Sequence, residues 1–237
     1  MSKPRFWAII PAAGVGRRMK TDVPKQYLDL LGRPVILHTL ERLAAVPMIN
    51  GIVVVIGQDD AYWPELNIQL DKPVYVVTGG EQRVHSVFNG VESIASELNH
   101  NDWILVHDAA RPCVRNADIT TLMDTVGEHA CGGILATPVR DTMKLANENQ
   151  SIATTLDRSA LWHALTPQMF RASLLFDALR AGLEYPDKIT DEASALELLG
   201  HTPLLVEGGA ENIKITRPED LALAEFILTN ERNTSGS

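Results

Sequence analysis

The stretch Pro11–Gln26, PAAGVGRRMKTDVPKQ, decides how the rest of the chain is read. It follows an apolar run, Phe6-Trp-Ala-Ile-Ile10, that suits the first buried strand of a parallel sheet. Gly14 and Gly16 sit one residue apart, where backbone can turn sharply or approach a ligand closely. Arg17, Arg18, Lys20 and Lys25 stand against the single acid Asp22, a local charge of +3 (four cations minus one anion) in a chain that carries -9 overall. Backbone N–H groups and several cations after a strand suit a polyphosphate. Two familiar phosphate-loop patterns are absent: no G-x-x-x-x-G-K-[ST] occurs, and Met19 stands where G-x-G-x-x-G needs its third glycine. The choice between an anion site and a plain βα turn with solvated cations leans to the anion, whose identity stays open.

The remaining composition bounds the answer. A chain of 237 residues, 45% hydrophobic and 22% charged, fits one large α/β domain. No apolar run approaches the roughly 18 residues of a membrane span, and the short apolar start runs straight into the glycines, unlike a signal peptide. Cys113 and Cys131 are the only cysteines, which suits free thiols in a reducing cytoplasm. The acidic balance argues against an extended nucleic-acid face but leaves room for one small anionic ligand.

Outward from the opening stretch, the pattern alternates. A helix is expected from Gly32-Arg-Pro34, with Pro34 near its first turn, ending before Pro47. Strands are expected at Gly51–Ile56, Val74–Val77, Trp103–His107 and Cys131–Ala136, with helices from Glu81 to Leu98 and from Asn116, as cap, to His129. Strand, helix, strand in succession predicts a mostly parallel central sheet flanked by helices. Asp141–Ala146 and Ile152–Asp157 flank a polar turn and predict a hairpin arm, spanning about 138–160, that projects from the sheet. A lone hairpin is marginal in water, so it packs on a partner subunit or on its own chain. Further expectations are a helix at Ala172–Gly182, a helix at Asp191–Leu199 capped by Thr190, and short strands at Leu204–Val206 and Asn212–Ile215. A last helix starts in a capping box, Thr216-Arg-Pro-Glu219. The domain is expected to span 1–230, with 231–237 as a disordered tail.

Ligands of open α/β sheets bind beyond the carboxyl ends of the strands. That rule selects the Gly14 loop, Thr78-Gly-Gly80, Asp108 and the region Thr137–Thr142. Asp108 is placed either to hold a hard cation such as Mg²⁺ or to serve as a helix cap or salt-bridge partner. Arg111 beside it reads as a structural partner, and His107 as a buried structural histidine. No G-x-S-x-G elbow, nucleophile cysteine motif or H-E-x-x-H cluster occurs.

These residues also carry a resemblance. Pro11–Met19 with Pro24-Lys-Gln26, Val106–Pro112, Pro138–Lys144, Leu156–Arg158, Thr166–Gln168, Thr190–Ala195 and Asn212–Leu221 resemble, in order, the motifs of the 2-C-methyl-D-erythritol 4-phosphate cytidylyltransferase family. The resemblance implies a Rossmann-like domain that transfers CMP from CTP to methylerythritol phosphate and releases pyrophosphate, with Mg²⁺ or another divalent cation. It implies that Arg18 and Lys25 stabilise the transition state and that Arg158 and Lys214 position the attacking phosphate. Pro11, Ala12, Ala13, Gly14, Gly16, Gly80 and Ser86 match nucleotide-binding positions. Asp108 matches a metal and substrate contact, Thr142 and Thr190 match contacts to the polyol phosphate, and the arm matches one that interlocks a homodimer. Glu211 stands where the family often has Asp. Two alternatives stay open: a cytidylyltransferase for another polyol phosphate such as ribitol 5-phosphate, and a nucleotide-binding protein without turnover.

Overall fold

The structure, a computed structural model, describes residues 3–14 and 23–235. The apolar run near the N-terminus forms β1 (Phe6–Pro11). A ribbon of β2 (Asp29–Leu30) and β3 (Arg33–Pro34) precedes helix α1 (Val35–Ala44). Pro34 thus sits before the helix in extended backbone (φ -54°, ψ 138°) rather than in its first turn. Its fixed φ and missing N–H are as compatible with a short ribbon as with a helix start.

β4 (Ile49–Ile56), β5 (Val74–Thr78), α2 (Arg83–Ser93), β6 (Trp103–Val106), α3 (Asn116–Val126) and β7 (Gly132–Pro138) follow. Both helices stop short of their expected ends. Asn116 is the first residue of α3, not its cap, and its Nδ2 donates to Arg42 O at 3.1 Å. The arm is β8 (Met143–Ala146) paired antiparallel with β9 (Ile152–Leu156).

The largest departure comes next. Trp162–Arg171 forms the long strand β10, which no pattern in the sequence announced. It runs antiparallel between β6 and β7, with its register broken between Ala164 and Gln168 around the Thr166–Pro167 bond. Proline argues against a central strand because it lacks a ladder donor; here it lies where the pairing is interrupted.

After α4 (Ala172–Gly182), helix α5 (Glu192–Leu198) is capped by Asp191 rather than Thr190. The Asp191 carboxylate accepts from Ser194 N at 2.9 Å, and Ser194 Oγ accepts from Asp191 N at 3.2 Å. β11 (Leu204–Glu207) joins the sheet, but Asn212–Ile215 does not. Ile213 N bonds locally to Glu211 O and Ile215 N bonds Ala110 O, so no ladder forms there. α6 (Pro218–Ser235) is started by Asp220, not Glu219: its Oδ2 accepts from Thr216 N and Oγ1, both at 2.8 Å. The helix also runs through 231–235, where a disordered tail was expected, and Glu231 pairs with Arg42 of α1.

The seven strands lie in the order β11-β7-β10-β6-β1-β4-β5, all parallel except β10. Alternation along β1 sends Ala8 and Ile10 to the face covered by α1 and α3. Trp7 and Ile9 go to the face covered by α2, α4 and α5. With both faces covered, β1 and β4 read as unbroken apolar runs. β1, β4, β5 and β6 end on one edge, and there the chemistry collects.

Candidate active site

At this edge a pocket of about 220 Å³ opens beyond β1, β5 and β6. Pro11, Ala13, Gly14, Lys25, Gly80, Ser86, Asp108 and Lys214, all nominated from the sequence, line it. Ala12 does not: its methyl joins the core, its N–H donates to Val55 O at 2.7 Å, and its carbonyl accepts from Gln26 Nε2 at 2.6 Å. Gln26 Nε2 also donates to Gly14 O at 3.2 Å, so this buried amide clamps the start of the glycine loop. Lys25, one residue earlier, is drawn to the pocket with its Nζ donating to Ile215 O at 2.9 Å. Gly16, Arg17, Arg18 and Lys20 lie outside the described residues.

Gly79 and Gly80 make the opposite wall. A Cβ on Gly79 would lie 2.6 Å from Ser86 Oγ and 2.8 Å from Ala13 Cβ, so glycine alone lets the two loops approach. Ser86 Oγ accepts from Gly80 N at 3.2 Å and shapes the turn into α2.

Asp108 is the electrostatic centre. Arg111 Nε donates to its Oδ2 at 3.1 Å, Lys214 Nζ lies 2.9 Å from the same oxygen, and Arg83 Nη2 lies 3.4 Å from Oδ1. Burial alone would raise this carboxyl; the charges of Arg83, Lys214 and Arg111 outweigh it and keep the group ionised, far below the usual carboxylate range. Arg111 is a structural partner, for its Nη1 also donates to Asn212 O at 2.7 Å. His107 is fully buried, bonded to Thr166 Oγ1 at 2.8 Å and Arg111 O at 3.1 Å, and burial pushes it down to about 4. It is neutral at physiological pH and structural.

Glu81, Gln82 and Arg83 also line the pocket and were missed by sequence reasoning, and Arg83 matters most because it reaches Asp108. One signal could have found it: it is the first residue of α2, the positive end of the helix, where a cation is disfavoured without compensation. Glu192 supplies that compensation by pairing with both Nη groups of Arg83.

A second pocket of about 500 Å³ adjoins the first, with Lys214 in the wall of both. Arg111, Thr137, Arg140, His163 and Asn212 line it. Thr142, Arg158 and Thr190 line neither pocket. Thr142 and Arg158 are exposed on the arm, where Arg158 Nη1 donates to Arg140 O. Thr190 is exposed beside Ser194, to which its N–H donates at 3.0 Å. Glu211 is paired with Arg115 at 2.8 Å, away from Asp108's ring of cations.

A cation of the Mg²⁺ type needs one or two carboxylates and takes its other ligands from phosphates and water. No cluster of three or more His, Cys, Asp or Glu residues suited to a metal occurs among the described residues. Asp108 fits the simpler requirement: it is ionised, it lines the pocket, and among the described residues its Oδ1 carries only the long contact to Arg83.

Residues 6–230 match the sequence profile of the 2-C-methyl-D-erythritol 4-phosphate cytidylyltransferases. A protein of that name from Aliivibrio fischeri is 56% identical over 221 residues, covering 93% of this chain and 92% of its own. Among solved structures, a 4-diphosphocytidyl-2C-methyl-D-erythritol synthase superposes with a TM-score of 0.83 at 38% identity, covering 96% of this chain and 100% of that one. The cytidylyltransferase of Francisella tularensis does so with a TM-score of 0.81 at 38% identity, covering 94% and 99%.

Proposed function

The chain belongs to the 2-C-methyl-D-erythritol 4-phosphate cytidylyltransferase family, and from that premise we infer how its own residues carry the transfer. It moves CMP from CTP to 2-C-methyl-D-erythritol 4-phosphate and releases pyrophosphate, a step of isoprenoid precursor synthesis. The observation that carries the reading is the convergence of Lys25, Lys214 and Asp108 on a nucleotide-sized pocket that opens into a second one.

The nucleotide lies along Pro11–Gly14 and Gly80, with Ser86 fixing the wall against which the base packs. A phosphate monoester oxygen of the acceptor attacks the α-phosphorus of CTP in line, and pyrophosphate leaves. That oxygen is already ionised near neutral pH, so no Ser-His or Cys-His pair is needed. Negative charge grows on the equatorial oxygens of the α-phosphate, where Lys25 and Arg18 stabilise it. Lys214 stands between the two pockets and so can hold the acceptor phosphate facing the nucleotide. Asp108 would hold a divalent cation, which would neutralise charge on the triphosphate.

Thr142 and Arg158 serve the acceptor phosphate in the pocket of a second copy, through a homodimer clasped by the arms. Their exposure on a hairpin at the rim of the second pocket, where neither lines the pocket itself, supports that arrangement. Two unpaired buried thiols support a reducing, cytoplasmic setting.

The test is direct. Purified protein given Mg²⁺, CTP and methylerythritol phosphate releases pyrophosphate; silence under those conditions overturns the reading. A panel that includes ribitol 5-phosphate reports the acceptor preference.

A further inference from the structure

One buried acid in the neighbourhood of the site has no part in the chemistry above. Glu192 is 1% exposed and opens α5. Its carboxylate takes both Nη groups of Arg83, with Oε2 3.1 Å from Nη2, and has no other partner among the described residues. The same Nη2 reaches on to Asp108 Oδ1 at 3.4 Å. We propose that Glu192 is a positioning residue for the cytidylyl transfer: through the Arg83 guanidinium it fixes the Asp108 carboxylate in the wall of the first pocket, against Lys214. The proposal rests on the reading of Asp108 as part of the reaction site.

Three features separate this from a mere stabilising pair. The fold does not need Glu192 to begin α5, because Asp191 and Ser194 cap that helix and Gln168 Oε1 accepts from Ala193 N at 2.9 Å. A buried ion pair is also a poor stability device, often replaceable by apolar groups without loss. Finally, the contacts on Asp108 are divided. Oδ2 is gripped by Arg111 and Lys214, while Oδ1 meets, among the described residues, only the shared edge of Arg83.

That division depends on Glu192. A guanidinium fork left alone beside a carboxylate closes on it bidentately. Arg83 would then take both Asp108 oxygens, turn the carboxylate from Lys214, and cover the one oxygen with room for another ligand. With its fork closed on Glu192 instead, Arg83 offers Asp108 a single long contact. Glu192 thereby keeps Asp108 both oriented and available.

A double-mutant cycle on the full chain tests this, read as pyrophosphate release with Mg²⁺, CTP and methylerythritol phosphate. Glu192→Gln keeps the shape and removes the charge. It should lower kcat on the order of 10–100-fold, the usual cost of losing an orienting outer partner, with little change in KM for CTP. In an Asp108→Asn background the same change should cost less than about threefold, since its target is gone. Equal losses in both backgrounds overturn the proposal, as does wild-type turnover for Glu192→Gln while Asp108→Asn is impaired. If Asp108→Asn itself keeps full turnover, the reading of the site falls together with the proposal. Should Glu192→Gln unfold, Arg83→Lys takes its place: it keeps the charge but lacks the fork, and its loss should be equally non-additive with Asp108→Asn. An additive loss there overturns the proposal.

Discussion

The Asp108 pocket and the hairpin arm both present cations, in opposite surroundings. In the pocket, three cationic side chains from three parts of the chain, Arg83, Arg111 and Lys214, close around one carboxylate that is 7% exposed. On the arm, every residue of β9 is exposed, Ile152 by 65%, and Arg158 bonds the backbone of Arg140. The pocket is finished within one chain, and its groups are held by one another. The arm is a limb whose apolar side chains Leu145 and Ile152 stay in solvent. The lesson is that the pocket is prepared by packing within the chain, whereas the arm is built without a packed base of its own.

The sharpest way to break that contrast is to remove one group from each region. Lys25→Ala should lower turnover on the order of 10²–10³-fold, the cost of losing one preorganised donor at the α-phosphate, without unfolding the protein. Arg158→Ala should cost less, on the order of 10–10²-fold, mostly in KM for methylerythritol phosphate. Mixing the two impaired variants at limiting methylerythritol phosphate then decides the matter: a hybrid dimer would have one pocket with Lys25 intact that receives an arm with Arg158 intact. Activity should return in steady-state assays of the mixture. If mixing restores nothing, the arm serves its own pocket and the contrast is lost.

A weaker blow strikes the arm alone. Ile152→Asp places a charge on the exposed face and forfeits roughly 1.5–3 kcal/mol of apolar burial per subunit if the arms clasp. Sedimentation should show a dimer that dissociates at higher concentration than the parent, while the melting temperature of the body barely moves. The smallest effect belongs to the packed body itself. Burial holds the His38 ring, whose Nε2 lies 2.7 Å from Leu30 O, below its ordinary value. Its neutral form is therefore the folded one: the stabilisation is complete above about pH 6.5 and is lost as pH falls below that. A His38→Gln variant should show a flatter melting temperature between pH 7.5 and 5, with activity at pH 7.5 unchanged.

The sequence was most informative where one local rule sufficed. Strand ends after apolar runs located Pro11, Gly80 and Asp108 correctly at a single edge, because both the run and the ligand position obey short-range geometry. It was least informative where long-range packing decided. β10 hid behind Pro167 and a half-exposed first segment, and only its neighbours β6 and β7 make it a strand. Arg83 and Glu192 stand 109 positions apart, so nothing local could pair them. Helix starts fell between these cases: for the last two helices an acid or hydroxyl near the start was foreseen, but which one closes the cap depends on rotamers, as Asp191 and Asp220 show.

The way the arm is rooted carries one more consequence. It leaves the sheet from β7 and returns into β10, and those strands are neighbours, with Trp162 opposite Pro138 and His163 opposite Thr137. The ladder works as a graduated rule: a slip of one residue would carry the arm's root about 3.4 Å along the strand and reverse its faces. The zero mark of that rule is Gly132, at the far end, with φ +132° and room for no Cβ, which would lie 2.1 Å from Met169 O. An error of alignment there, deep beneath the helices, would be read out at the arm's base as misplaced Thr142 and Arg158. A defect in grasping a phosphate could thus originate at a glycine that never meets one.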